Sequence, residues 1–142
     1  MFFRFSLSVI FATIYGSSLH LFQLVQEMLP KKGWISGTEK SYEWVEQLHG
    51  GKINNFPNPI HLTERMAFAI SDLLPEIEKK QIESVILFSN DCSFQQIELS
   101  SGTVEVLKYK EINRWVSSLA GQVLSNEQIS STYISLKKYC KN

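Results

Sequence analysis

The chain has 142 residues, of which 44% are hydrophobic and 20% charged, and its formal net charge at neutral pH is zero. This length and composition describe one folded domain with a real core and exclude a disordered chain. The balanced charge excludes a general attraction to nucleic acid, so only a local basic patch could provide one.

The first 26 residues carry a single charge, Arg4, and Leu7 to Tyr15 is almost entirely apolar. Three interpretations remain open for this segment. A signal peptide would use Arg4 as its positive start and Gly16-Ser17-Ser18 as the small residues near a cleavage site. A membrane anchor over residues 5–25 would need about 20 apolar residues, and polar side chains interrupt this stretch. Buried strands, with Leu19 to Val25 as the last of them, are the interpretation we favour.

The segment from Gly33 to Pro59 consists of short apolar pieces separated by glycines and polar residues. Gly33 and Gly37 bracket a short apolar segment and predict a strand between them. Around Trp44 the pattern fits a strand or an amphipathic turn equally well. Each buried tryptophan needs a hydrogen-bond partner for its N–H. Asn58 and Pro59 predict the start of a helix, with asparagine as the cap and proline at the first helical position.

The predicted helix carries one apolar stripe and ends near Pro75. Its members recur at three- and four-residue spacing: Leu62, Met66, Ala69, Ile70, Leu73 and Ile77. We expect this stripe to face the core, and we expect the charged residues from Glu76 to Gln81 to form a solvated turn.

The second half of the chain predicts three strands and two helices. Val85 to Phe88 is a continuous apolar run, typical of a strand buried on both faces. Phe94 to Leu99 and Thr103 to Leu107 alternate between apolar and polar residues, as strands do. A helical face follows, formed by Ile112, Trp115, Val116 and Leu119, which Gly121 can terminate.

The last helix is predicted from Ser125 and Gln128, which form a capping box. Its apolar face comprises Ile129, Tyr133, Leu136 and Cys140. The two cysteines, Cys92 and Cys140, lack a Cys-x-x-Cys spacing. We expect free thiols, or a disulfide if the chain is exported. The fold class predicted from these elements is α/β, with a mixed sheet and flanking helices.

A family resemblance rests on the segment from Lys32 to Pro59. Its parts are Lys32-Gly33-Trp34-Ile35-Ser36-Gly37, Trp44, Gly50-Gly51-Lys52 and Phe56-Pro57-Asn58-Pro59. This segment resembles the second half of the nuclease-related domain, NERD. The likeness continues through Ser84–Ser89 and Val104–Leu107, so it covers roughly Glu27 to Tyr139.

The resemblance implies a restriction-endonuclease-like fold and DNA cleavage with Mg²⁺ at an Asp…Glu-x-Lys site. It also implies a division into an apolar segment, residues 1–26, and a NERD-like domain, residues 27–142, whose fold is incomplete at its N-terminus. The residues that carry it as a structural motif are Gly33, Trp34, Gly37, Trp44, Phe56, Asn58 and Pro59.

The catalytic part of the family's pattern is missing. Counting back from Trp34 places Glu27 at the glutamate position and Leu29 at the lysine position. The chain has only two aspartates, Asp72 and Asp91, and no acidic residue precedes Glu27. Because a nuclease needs at least two carboxylates converging on its cation, Glu27 is expected to be a remnant. Mg²⁺ is implied only for an active nuclease, and no other cofactor is predicted.

Leu62 and Met66 depart from the family in the same sense, because they stand where it tends to carry polar residues on this helix. Two apolar side chains at this spacing indicate core packing.

No other group of residues predicts a catalytic or metal site. His20, His49 and His61 have no pairing at helical spacing, so we expect no metal there. Glu78-Lys79-Lys80 repeats the Glu-x-Lys pattern inside a charged turn and is expected to face solvent. Gly50-Gly51-Lys52 lacks the remaining spacing of a phosphate loop and predicts a turn.

Two hypotheses follow. The first is a NERD-like protein that has no catalytic activity or is a fragment of an active ancestor. The second is a non-catalytic module that binds DNA or a protein and is cytoplasmic, or is anchored to a membrane through residues 5–25. Its modest positive charge comes from Lys31, Lys32, Lys40, Lys52 and Arg65, and the carboxylates of Glu39, Glu43, Glu46 and Glu64 are interleaved with it. No small-molecule ligand is implied.

Overall fold

The computed structural model describes residues 2–5, 8–15, 18–25, 31–78, 82–118 and 125–138. In this part of the chain the strands are β1 (Phe2–Phe5), β2 (Ser8–Tyr15), β3 (Ser18–Val25), β4 (Trp34–Thr38), β5 (Glu43–Gln47), β6 (Ile53–Pro57), β7 (Ile82–Phe88), β8 (Ser93–Glu98) and β9 (Val104–Lys108). The helices are α1 (Pro59–Leu73), α2 (Ile112–Ser118) and α3 (Asn126–Lys137), with a 3-10 turn at Tyr109–Glu111.

The strands form two sheets. The larger has the order β1-β2-β3-β7-β9, in which β1 to β3 are antiparallel neighbours and β7 is parallel to both β3 and β9. The smaller has the order β6-β5-β4-β8 and pairs β4 with β8 in parallel. The predicted α/β class with a mixed sheet and helices is therefore confirmed. The predicted strands β8 and β9 are also present, although they belong to different sheets.

Strand β7 lies inside the larger sheet and is buried along almost its whole length. Val85, Ile86 and Phe88 are fully buried, as the continuous apolar run predicts for a strand covered on both faces. Its position between β3 and β9 puts the carboxyl ends of these parallel strands at one edge of the sheet.

The N-terminal segment contributes three strands to the larger sheet. β3 pairs with β7 from Leu21↔Ile82 to Val25↔Ile86, so the backbone follows the strand interpretation over Leu19 to Val25. Whether the segment also acts as a signal or an anchor stays a prediction. Among the described helices, none is long and apolar enough to cross a membrane. Glu27 and Leu29 lie outside the described residues.

The core fills the space where the smaller sheet, the larger sheet and α1 meet. Trp44 stacks on Phe88 with ring centroids 6.3 Å apart and planes 1° from parallel. Phe56 meets both rings edge-on at 6.4 Å. Aromatic rings in these geometries add attraction beyond the area they bury. This cluster fixes the smaller sheet against β7, because each of the two sheets contributes rings to it.

Helix α1 begins and ends as predicted but buries a different face. Asn58 caps it, Pro59 is its first residue, and it ends at Leu73 just before Pro75. The buried residues of α1 are Pro59, Ile60, Thr63, Ala67 and Ile70. The prediction of one core stripe is wrong for Leu62 and Met66, which are only half-buried, and for Ala69, which is exposed. Thr63 can occupy the buried face because its hydroxyl donates to the carbonyl of Pro59 at 2.8 Å.

The C-terminal part agrees with its local signals. Ser125 and Gln128 bond reciprocally, with N–H donors 3.0 and 3.2 Å from the side-chain oxygens, so the capping box is confirmed. The turn after α1 is less solvated than predicted, because Ile77 is buried and Glu76 accepts a bond from Ser131 of α3. Residues outside the described parts include Leu119, Gly121 and Cys140, and the side chains of Ile129, Tyr133 and Leu136 are not described either.

Candidate functional site

The motif residues from Gly33 to Pro59 form one structural unit around Asn58. The Asn58 side chain is buried, and its Nδ2 donates to the carbonyls of Thr38, Glu39 and Ser41 at 3.3, 3.0 and 2.7 Å. Its Oδ1 accepts from the backbone N–H of Ile60 at 2.9 Å and caps α1. One side chain therefore holds the β4–β5 turn against the start of the helix.

Gly37 and Trp44 belong to the same unit. A side chain at Gly37 would collide with the Trp44 ring, so this glycine provides room and does not end the strand as we predicted from the sequence. The buried Trp44 finds the predicted partner for its Nε1–H in the carbonyl of Thr38, at 2.9 Å. The family-like motif thus builds the fold in this region, with Trp34 as its exposed member.

The carboxyl ends of β3, β7 and β9 lie at one edge of the larger sheet, which we call the carboxyl edge. The three loops that follow these strands meet there. The Ser89 hydroxyl donates to the carbonyl of Lys31, and the N–H of Ser93 donates to the carbonyl of Gly33 at 3.0 Å. The N–H of Lys110 donates to Oδ1 of Asn90 at 2.9 Å. In sheets with parallel strands, ligands bind preferentially at this edge, which makes it the first place to look for a site.

Lysines outnumber carboxylates around the carboxyl edge. The loops there carry Lys31, Lys32, Lys108 and Lys110, and exposed Lys52 lies in the turn that extends β5 at the same end. Among the residues that the structure describes there, the nearby carboxylates are Glu46, Asp91 and Glu111. Glu111 is already engaged, because it accepts the N–H of Lys108 at 2.8 Å. Counted over the described part of these loops, the exposed charge at this edge is therefore mainly positive.

Glu46 is a buried carboxylate that holds the loop before β4. Its Oε2 accepts the N–H groups of Lys32 and Gly33 at 2.8 and 3.2 Å, and its Oε1 lies 3.8 Å from the Lys31 ammonium. Burial acts to raise its pKa, but these hydrogen bonds and the nearby lysine outweigh burial and leave the pKa below its usual value. Glu46, one of the four carboxylates that the sequence interleaves with the lysines, is therefore charged but buried.

Trp34 forms one wall of a small cleft at the carboxyl edge. Its side chain is 48% exposed, although its backbone pairs with Gln47 of β5 and Ser93 of β8. The ring lies 6.1 Å from the His49 ring at an angle of 51°. The cleft holds about 100 Å³, and Lys32, Asp91 and Ser93 supply a cation, a carboxylate and a hydroxyl to its lining.

The other charged residues singled out in the sequence lie apart from one another. Lys40 is in the turn at the far end of β4, and Arg65 is on α1, so neither joins Lys32. Glu39 bonds the backbone and hydroxyl of Ser100 and the backbone of Ser101. The Ser100 and Ser101 bonds lower the pKa of Glu39 to about 2.

The histidines, glycines and Cys92 considered in the sequence lie in different parts of the fold. His20, His49 and His61 lie in β3, in the β5–β6 turn and on α1. Within the described residues, no group of three or more histidine, cysteine, aspartate or glutamate residues could hold a metal ion. Gly50 and Gly51 adopt positive φ angles of 89° and 83° and form the predicted turn. Cys92 is a buried free thiol whose pKa is raised by burial, and Glu78 is exposed, while Lys79 and Lys80 lie outside the described residues.

The sequence prediction missed two members of the carboxyl edge, Lys108 and Lys110. The sequence signal for them is that they directly follow a predicted strand; the structure shows that this strand runs parallel to β7.

Comparisons with known proteins add little about function. No protein-family model and no solved structure matches the chain. Over 102 residues the chain is 26% identical to a protein of Bacillus anthracis described as uncharacterized. The match covers 72% of this chain and 47% of that relative, so the chain spans about half the length of the relative it matches.

Proposed function

We propose that this chain is a NERD-like protein that binds DNA at the carboxyl edge and does not cleave it. The proposal keeps the family resemblance for the fold and departs from it for the chemistry. A mixed α/β sheet is what the resemblance implies, and a restriction-endonuclease-like arrangement of that sheet is part of the proposal.

Support for the NERD-like fold comes from how the motif is used. The resemblance requires a strand running toward Glu27, and β3 ends at Val25. It also requires a buried strand near Ser84–Ser89, which is where β7 lies. The motif residues between Gly33 and Pro59 hold β4, β5 and α1 together through Asn58 and Trp44. A motif with this structural role can be retained after catalysis is lost.

Support for the absence of cleavage comes from the carboxylates in the sequence. A nuclease of this family needs an aspartate ahead of the Glu-x-Lys, and the chain has no acidic residue before Glu27 and a leucine at the lysine position. Asp72 is exposed on α1, and Asp91 lines the cleft beside Trp34. Glu46 is occupied by two backbone N–H groups. These side chains do not supply the converging oxygens that a catalytic cation requires.

The observation that carries the binding proposal is the cluster of lysines at the carboxyl edge. Lys32 and Lys110 are exposed on neighbouring loops, and these loops are tied together through the loop after β7. Exposed lysines at one edge can contact phosphates of the same strand. Since the chain as a whole is neutral, we expect modest affinity that depends strongly on this edge.

Two assays on the purified full chain test the proposal. Plasmid and linear DNA are incubated with Mg²⁺ or Mn²⁺ to detect cleavage, and labelled DNA is titrated in a gel shift at low salt. We expect binding without cleavage. Cleavage that disappears in Glu27→Gln would overturn the non-catalytic part, and no binding at low salt would overturn the binding part.

A further inference from the structure

We propose that the Trp34 cleft takes an unpaired base of single-stranded DNA, which stacks on the indole while Lys32 contacts the adjoining phosphate. This inference rests on the proposed function and specifies the form of DNA that the carboxyl edge prefers. It starts from the exposure of Trp34, which the fold itself does not require.

Trp34 differs from the other motif tryptophan in how it is used. Trp44 is fully buried and its N–H is bonded, so it serves the core. Trp34 lies on the opposite face of the smaller sheet from buried Ile35 and leaves almost half of its surface open. A large aromatic side chain kept in solvent on a well-paired strand is typical of a binding surface.

The strand that carries Trp34 holds its backbone in a fixed place. β4 is flanked on one side by β5 and on the other by β8, so the strand has little freedom to move. A side chain at Gly33 would collide with the backbone of Gln47, so the chain approaches β5 closely just before the tryptophan. Because the backbone at Trp34 is already ordered, only the side-chain torsions lose conformational freedom when a base stacks on the ring.

The surroundings of Trp34 match the parts of a nucleotide. Its indole and the His49 ring offer two aromatic surfaces at one end of the cleft. Asp91 and Ser93 add an acceptor and a hydroxyl to the lining of the cleft, and Lys32 adds a cation that suits phosphate. Stacking platforms combined with nearby cations are how proteins bind single strands without strict sequence preference.

The size of the cleft favours an unpaired base over a duplex. A volume of about 100 Å³ admits a small flat group or part of one, not a helix of paired bases. Bases in a duplex are stacked on their neighbours and cannot lie against an indole without being pulled out at a cost. The same edge should therefore hold a single strand more tightly than a duplex of the same sequence.

The test measures binding of three labelled ligands to the full chain by fluorescence anisotropy at low salt. They are a short oligothymidylate, an abasic oligonucleotide of the same length and a duplex. Because the abasic strand keeps its phosphates and lacks bases, it separates stacking from charge. We expect the oligothymidylate to bind more tightly than the abasic strand by roughly 5- to 150-fold, and to quench tryptophan fluorescence.

Variants connect this preference to Trp34. Trp34→Ala should bring the oligothymidylate down to the affinity of the abasic strand, whereas Trp34→Phe should restore most of the loss because it keeps a ring. Tyr42→Ala is the matched control, since Tyr42 is 86% exposed at the other end of β4 and β5. Far-ultraviolet circular dichroism and urea melts verify that each variant is folded.

The outcomes separate the two proposals. If none of the three ligands binds, the proposed DNA binding fails. If DNA binds but the abasic strand binds as tightly as the oligothymidylate, or Trp34→Ala binds like the unmodified chain, the base-stacking inference alone is overturned.

Discussion

Replacing Asn58 should destabilise the fold by more than the loss of a helix cap alone. In Asn58→Ala the N–H of Ile60 loses its cap, which costs about 1 kcal/mol. The carbonyls of Glu39 and Ser41 each lose their bond to Nδ2, at about 0.5–1.5 kcal/mol each. The Thr38 carbonyl still accepts from Trp44 and Ser41. The expected loss is therefore about 2–4 kcal/mol in the free energy of unfolding.

Asn58→Asp provides the sharper version of this test. Aspartate caps helices as well as asparagine does, so a role limited to capping would leave stability almost unchanged. Its carboxylate cannot donate, however, and would face the three carbonyl oxygens that Nδ2 now contacts. We expect this variant to be at least as destabilised as Asn58→Ala at neutral pH.

The assay is equilibrium unfolding in urea, followed by circular dichroism and tryptophan fluorescence. Asn55→Ala is the matched control, because Asn55 is exposed and its Nδ2 bonds only Glu43 among the contacts described, at 3.2 Å. It should change the free energy of unfolding by no more than about 0.5 kcal/mol. The reasoning is refuted if Asn58→Asp is as stable as the unmodified chain.

Three further predictions concern the fold. Because the pKa of Glu46 lies below 4.5 in the folded chain, its stabilisation is present above that pH and is lost as the pH falls through the lowered pKa. In urea melts across this range, the stability of Glu46→Gln should therefore depend less on acid pH than that of the unmodified chain. The variant Glu43→Gln, at an exposed residue, should not show this reduction. Gly37→Ala should cost roughly 1–3 kcal/mol in the same melts because its methyl group meets the Trp44 ring, and an unchanged midpoint would contradict this. The truncated chain 27–142 should lack a cooperative urea transition, since β7 loses its neighbour β3; a soluble, cooperatively folded monomer would contradict the strand interpretation.

Features set by neighbouring residues could be predicted from the sequence. Asn58 with Pro59, and Ser125 with Gln128, cap their helices through bonds that span only two or three residues. The continuous apolar run of β7 likewise predicts that this strand is buried. In each case the physical cause and the sequence signal occupy the same short segment, so reading the segment is enough.

Features set by distant residues could not be predicted in this way. The apolar spacing predicted that Leu62 lies on the buried face of α1. Asn58, however, fixes the start of the helix against the β4–β5 turn, and Thr63 occupies the buried face because its hydroxyl is hydrogen-bonded there. From the sequence alone Glu46 resembles a surface charge, whereas in the structure its carboxylate accepts the N–H groups of Lys32 and Gly33.

The candidate site shows the same limit. Trp34 stood out in the sequence as part of the motif, but its exposure depends on which face of β4 it occupies. Lys32 and Lys110 are far apart in the chain and come to the same edge of the sheet because β3, β7 and β9 run parallel and end there. Parallel pairing is not visible in the sequence, so the site could not be assembled from it.

The most direct test of DNA binding at the carboxyl edge is its salt dependence. Three exposed lysines, Lys32, Lys52 and Lys110, predict that the logarithm of the binding constant for single-stranded DNA falls against the logarithm of salt concentration with a slope of about −2. Replacing both Lys32 and Lys110 with glutamine should reduce the slope to roughly −0.7, whereas Lys40→Gln should leave it unchanged. Binding that is flat with salt, or undetectable at the lowest salt, would contradict the proposed function.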